Sequence, residues 1–225
     1  MKEWYEIIMF VIVLLNLTLL SSSRLLTCIR VAAFHGIAVG LLPVAVHEGG
    51  LMPRIMIFAA VTVAIKGIVF PRLLSRSLRE ADVSREIEPL IGYPVSLLMG
   101  VVALGVSFWF ASALPLPDRQ WLSGFAAAVP FSTILTGLFI IVTRRKALTQ
   151  VIGYLILENG IYCLSVIMLL EQPVLVELGI LLDIFVAVFV MGIAIFHINR
   201  EFDHIDTDEL SMLGDWRSDS QGVLK

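Results

Sequence analysis

The chain has 225 residues, 58% hydrophobic and 16% charged, with a net charge of −3 and a mean hydropathy of +0.93. Soluble domains are roughly 45–50% apolar and about a quarter charged, so this balance excludes a water-soluble globular protein and implies an all-α, polytopic membrane protein. No basic, aromatic-rich segment suggests a nucleic-acid partner.

An apolar helix needs about 20 residues to cross the hydrocarbon core. Seven stretches reach that length: 4–22, 25–46, 52–72, 92–114, 121–143, 147–170 and 174–198. The first begins MKEWYEII, with Glu3 and Glu6 and no small-residue cleavage site after its apolar run, so it is expected to stay as a span rather than be removed as a signal peptide. The second carries Cys28, Arg30 and His35. Arg30 lies near enough to the cytoplasmic face to reach the interface, whereas His35 is deep. His35 is either a neutral buried histidine with a hydrogen-bond partner or a relay group.

The turn HEGGLMPR (47–54) precedes the third span, which ends in VAIKGIVFP. Lys66 there is about two turns from the cytoplasmic end, where it can partly snorkel or serve a function. Residues 72–90, RLLSRSLREADVSREIEPL, read as a polar amphipathic loop. LPLPDRQ (114–120) and EQP (171–173) are further turns. From Asn199 onward the chain is hydrophilic, with more acidic than basic groups, and it is expected to be an extended segment that docks on a peripheral cytoplasmic subunit.

Lys and Arg divide unequally between the two ends of these spans. Arg24, Arg72, Arg76, Arg79, Arg85, Arg144, Arg145, Lys146 and Arg200 fall on one side, and Lys2, Arg54 and Arg119 on the other. The positive-inside rule then places the N-terminus outside and the C-terminus in the cytoplasm. The chain divides into an N-terminal three-helix segment (1–75), a cytoplasmic loop plus fourth span (76–118), a second three-helix segment (119–198) and a tail (199–225). A shift of 124 positions lays the first three spans on the last three, with His35-Gly36-Ile37 on Asn159-Gly160-Ile161. Such a match reads either as a parallel repeat with the fourth span inserted or as chance similarity of apolar sequence.

Ionisable residues inside a membrane are candidates for function. Glu158, in GYLILENGIY (153–162), is about eleven residues from either end of its span, roughly 16 Å at 1.5 Å per residue, too deep to snorkel. Asp183 lies at nearly the same depth in the last span, and adjacent antiparallel helices would bring the two carboxyls together near the midplane. Asp183, Ala187, Val190, Ala194 and His197 form one stripe down that helix. Glu177 is one turn from the outer surface. Each acid has a structural alternative, a hydrogen bond to a neighbouring helix. A desolvated carboxyl holds its proton more tightly than one in water, so a midplane acid can come to exchange protons near neutral pH. Cys28 and Cys163 read as small buried apolar residues. The four histidines lack metal-ligand spacing and no Cys-x-x-Cys occurs, so the chain is expected to hold no metal or cluster.

The last three spans resemble the K subunit of respiratory complex I, on Ile152-Gly153 followed by Asn159 and on a final helix ending at His197, with Ile205-Asp206 beyond it. Nearly the whole chain resembles component E of hydrogenase-4, on KGIVFP, LENGIY, LLDIFVAVFVMGI and the tail FDHIDTDELSMLGD. The resemblance implies a noncatalytic subunit of a complex-I-like, membrane-bound [NiFe]-hydrogenase in the cytoplasmic (inner) membrane of a prokaryote. It also implies antiporter-like membrane subunits, a membrane subunit of the quinone-module type and peripheral hydrogenase subunits as partners, with the NiFe centre and iron–sulfur clusters held by those partners.

In the K-subunit family two membrane carboxylates belong to a lateral proton path. Alignment on Asn159 puts the first at Leu155, one turn before Glu158, and alignment on His197 puts the second at Phe185, two residues after Asp183. One turn preserves the face, whereas two residues rotate it by about 160–200°. The proton-pathway candidates are therefore Glu158, Asp183, Lys66, His35, Glu177 and His197. A purely structural assembly subunit and an independent secondary transporter are the alternatives.

Overall fold

The computed structural model describes residues 2–46, 53–80, 90–113 and 124–168. The predicted seventh span, with Glu177, Asp183 and His197, and the tail lie outside the described residues, as does the 114–120 turn.

Every regular element among the described residues is helical. In order they are α1 (Lys2–Ser21), α2 (Leu25–Val46), α3 (Pro53–Ala64), a π-helical turn (Ile65–Val69), α4 (Phe70–Glu80), α5 (Tyr93–Ala113), α6 (Gly124–Thr143) and α7 (Ala147–Met168). Among the described residues six spans are long and apolar enough to cross a membrane, with α3, the π turn and α4 making one of them. The protein is a multi-pass membrane protein.

The predicted end of the third span at residue 72 needs correction, because the helix continues to Glu80. The polar composition of RLLSRSLRE hides a helical stripe: Phe70, Leu74, Ser77 and Leu78 are buried, while Arg72, Arg76 and Arg79 face outward. Phe70, Leu74 and Leu78 pack in one apolar cluster with Leu25, Cys28 and Ile29 of α2. An amphipathic helix at the membrane edge looks like a loop when judged by hydrophobicity alone.

The π turn has two local causes. Thr62, Lys66, Phe70 and Leu74 are all buried at four-residue spacing, and each such step overshoots an α-helical turn by about 40°. One wide turn absorbs part of that drift and keeps the stripe toward α2. The turn also ends two residues before Pro71, whose ring in a regular helix would press on the carbonyl four residues back, at Gly67.

The hairpins α1–α2 and α6–α7 lie side by side, with α1 against α6 and α2 against α7. The π-interrupted span packs on the outer flank of α2, and α5 lies against α1 and α6. Lipid offers no hydrophobic drive between helices, so close approach of small residues does much of the packing. A Cβ on Gly36 would stand 2.6 Å from Lys66 Cβ, and one on Gly160 would stand 2.7 Å from the backbone nitrogen of Ile134. These glycines therefore set how closely α2 approaches the π turn and α7 approaches α6. At the basic end Arg144 Nη2 donates to Leu20 O at 3.3 Å, and the Leu90 N–H donates to Thr143 O at 3.0 Å. The α1–α2 turn, the α6–α7 turn and the lead into α5 thus share one end.

Candidate functional site: a buried polar chain across the bundle

The π turn directs Lys66 inward. Its ammonium donates to Glu158 Oε1 at 2.8 Å and to Asn159 Oδ1 at 2.9 Å, and stands 5.3 Å from the centroid of the Tyr162 ring. These two acceptors are adjacent in α7, and Tyr162 is one turn further along the same face. Asn159 Nδ2 lies 3.1 Å from His35 Nδ1, and His35 Nε2 lies 3.2 Å from Asn16 Oδ1. Asn16 Nδ2 donates to Thr133 Oγ1 at 2.9 Å, and the Thr133 hydroxyl donates to Val129 O at 2.9 Å. The chain therefore runs from α7 and the π turn through α2 and α1 to α6. All six side chains are buried, none more than 4% exposed.

The chain has a direction, assigned from its hydrogen-bond pattern. An ammonium can only donate, so Asn159 presents its oxygen to Lys66 and its NH₂ to His35. Nδ1 of His35 is then the acceptor, and the ring is neutral with its proton on Nε2. That N–H donates to Asn16 Oδ1, leaving the Asn16 NH₂ to donate to Thr133. Every donor points away from Lys66.

Lys66 lies eleven residues from the nearer end of its span, and Glu158 nine. Of the two readings of Lys66, partial snorkelling is corrected: the side chain reaches neither interface and forms an ion pair in the interior. A buried ion pair loses hydration that its Coulomb attraction rarely repays in full, so its presence is weak evidence for a purely stabilising role. At 2.8 Å the pair can instead pass one proton from nitrogen to oxygen, giving a neutral amine and a neutral acid. Both forms are less costly than lone charges in a dry site.

A small cavity of about 10 Å³ lies beside Lys66, between Ile29 and Ala32 of α2, Phe70, Pro71 and Leu74 of α4, and Leu155 and Asn159 of α7. It is near the lower limit for one water. Pro71 also lines a surface groove of about 510 Å³ with Arg72, Ser75 and Arg79. A single residue thus borders both the interior beside Lys66 and the basic surface.

Of the residues named from sequence, the fold joins Glu158, Lys66 and His35; Asp183, Glu177 and His197 lie outside the described residues. Cys28 and Cys163 are buried free thiols, and Arg30 is exposed. Asn16 and Thr133 were not anticipated, although an amide inside the apolar run LLNLTLL was a legible signal. Asn159 was noted as a family landmark and proves to be the central link. The 124-residue offset reappears as a direct contact, since His35 and Asn159 are the hydrogen-bonded pair. Among the described residues no group of three or more His, Cys, Asp or Glu side chains is placed to hold a metal ion.

The chain is 31% identical over 193 residues to the uncharacterized protein Rv0085 of Mycobacterium tuberculosis, covering 83% of this chain and 85% of that one. It is 27% identical over 160 residues to hydrogenase-4 component E of Escherichia coli strain K12, covering 71% and 74%, and matches the protein of that name from Shigella flexneri to the same extent. No family model matches the chain, and no solved structure matches it significantly. The chain therefore belongs to the family that includes Rv0085, and at lower identity it is similar to hydrogenase-4 component E.

Proposed function

We propose that the chain is a noncatalytic membrane subunit of a complex-I-like, membrane-bound [NiFe]-hydrogenase, and that its buried polar chain is a segment of a proton path near mid-membrane. The membership of a hydrogenase complex rests on the relation to hydrogenase-4 component E. The observation that carries the proton path is the Lys66–Glu158 pair, 2.8 Å apart, 3% exposed on each side chain and continued by hydrogen bonds to His35.

In this proposal a proton reaches Lys66 from the basic end through the cavity beside Pro71. Lys66 and Glu158 exchange it along their hydrogen bond, and His35 is the next titratable group across the bundle. In this reading the path continues on the seventh span, through Asp183, Glu177 and His197. The antiporter-like and quinone-module-type membrane subunits are the lateral partners, and the peripheral hydrogenase subunits dock at the cytoplasmic face with the tail. Those partners hold the NiFe centre and iron–sulfur clusters, so hydrogen chemistry takes place outside this chain. The complex sits in the cytoplasmic membrane with the C-terminus inside.

A purely structural role for the same buried pair is the competing account. Glu158→Gln separates the two because the amide keeps the shape and an acceptor for Lys66 yet cannot take up a proton. The complex should assemble and retain hydrogenase activity with an artificial electron acceptor, while proton coupling in sealed membranes falls at least tenfold. Full coupling in the Gln variant would leave the structural role standing.

A further inference from the structure

The link between Lys66 and His35 is an amide, and an amide does not pass protons as a carboxylate or an imidazole does. Asn159 offers one oxygen and one NH₂, and the two ends face different groups. In the structure the oxygen faces Lys66 and the NH₂ faces His35 Nδ1. This orientation requires an unprotonated Nδ1, whereas the reverse one, with the NH₂ facing Lys66, requires an unprotonated amine.

The reverse orientation is equally well hydrogen-bonded under the opposite charge arrangement. If one proton leaves Lys66 Nζ and binds His35 Nδ1, a Nζ–H bond breaks and a Nδ1–H bond forms. The charge moves from the amine to the imidazole, and no other group is consumed. A half-turn of the Asn159 amide then lets its NH₂ donate to the lone pair of the neutral amine and its oxygen accept from the imidazolium. His35 Nε2 keeps its hydrogen bond to Asn16 Oδ1. With both groups protonated, one of them would have to face the amide NH₂ donor to donor, which a buried site penalises.

We propose that Asn159 is a positioning residue that makes protonation of Lys66 and of His35 Nδ1 mutually exclusive, so that the two groups share a single charge through the orientation of one amide. The inference rests on the proton-path proposal for its use, but its geometry does not depend on that path. It accounts for the directed donor order from Lys66 to Thr133 and for an amide, rather than a second acid, at the crossing between α7 and α2. Glu158, on the other side of Lys66, receives the proton that does not go to His35. Cys163 and Tyr162 complete the polar groups of α7 near the site, and Thr62 lies one turn before Lys66.

The test is ¹⁵N-histidine NMR of the full-length protein in lipid nanodiscs, with the His35 signal assigned by its loss in His35→Asn. The wild type should show a neutral ring protonated at Nε2. In Asn159→Asp the carboxylate accepts from both sides, so His35 should become doubly protonated at the same pH. Removing the Lys66 charge in the double variant Lys66→Met/Glu158→Gln, which leaves no lone buried charge, should release the Asn159 amide and let the neutral ring move its proton from Nε2 to Nδ1 in a major fraction of molecules, the Asn16 amide turning so that its NH₂ donates to Nε2. Adding Asn159→Leu to that double variant should abolish the response. A wild-type ring protonated at Nδ1, or a ring unchanged in both Asn159→Asp and the double variant, would overturn the inference. If the histidine responds as described while Asn159→Leu complexes couple protons fully, the exclusivity stands and the proton path fails.

Discussion

Helices α5 and α7 are both long, apolar spans with a few polar residues, yet they use those residues in opposite ways. In α5, 22% of the span is buried, and its serines bond within their own helix or its lead-in: Ser107 to Ala103 O at 2.7 Å, Ser112 to Trp109 O at 2.7 Å and Ser96 to Ile91 O at 3.4 Å. In α7, 67% of the span is buried, and Glu158 and Asn159 bond to Lys66 and His35 on other helices. A serine inside a membrane can satisfy itself on the preceding turn. A carboxylate or a primary amide has more acceptors and donors than its own helix leaves open, so it must find partners elsewhere. The number of hydrogen bonds a side chain needs therefore separates a lipid-facing helix from one that ties the bundle together.

The contrast is most strongly tested at the ion pair. Lys66→Met leaves a buried carboxylate without its cation and should destabilise the fold by about 3–5 kcal/mol, read as a lower thermal midpoint in detergent. Glu158→Gln should cost less, because an amide oxygen still accepts from Lys66, and the double variant should recover most of the stability without recovering proton coupling. Asp183→Asn is expected to affect coupling less than Glu158→Gln.

Backbone approach gives the next largest effect. Gly36→Val would drive a side chain into Lys66 and should cost about 1–3 kcal/mol. On α5, Gly105 has nothing within 4 Å of a built Cβ. Gly105→Ala should therefore be neutral or stabilise by at most about 1 kcal/mol. Equal losses at Gly36 and Gly105 would remove the distinction between the two regions.

Asn16→Leu should cost about 1–3 kcal/mol, because it strips His35 Nε2 of its acceptor and Thr133 Oγ1 of the amide that donates to it. The smallest effect belongs to Ser107→Ala, whose hydroxyl serves only its own helix. A change of about 0.5 kcal/mol or less is expected, and a loss as large as that of Asn16→Leu would show that α5 contributes a cross-helix bond after all.

Much of the architecture was legible without coordinates. Twenty-residue apolar runs bounded by Gly, Pro and charge can do little in lipid except form helices, because each backbone group needs a partner inside the segment. That reasoning placed the six described spans closely and erred at residues 72–80, where an interfacial helix keeps its apolar stripe on one side only. The depth of Glu158 and His35 followed from counting residues. The burial of Lys66 did not, since its distance from the cytoplasmic end was counted to residue 72 rather than to Glu80.

By itself the sequence determined that the protein spans a membrane as α-helices and that a carboxylate and a histidine sit deep within them. Both follow from local properties, namely the length of an apolar run and the position of a residue within it. The tertiary structure alone decided which of these groups meet. Lys66 turns inward through a π turn, Gly36 lets α2 close on it, and side-by-side packing of two hairpins sets Asn159 opposite His35. Helix rotation and pairing depend on contacts between segments 30 to 124 residues apart, and a rotation of one residue, about 100°, would turn any of these side chains away from its partner.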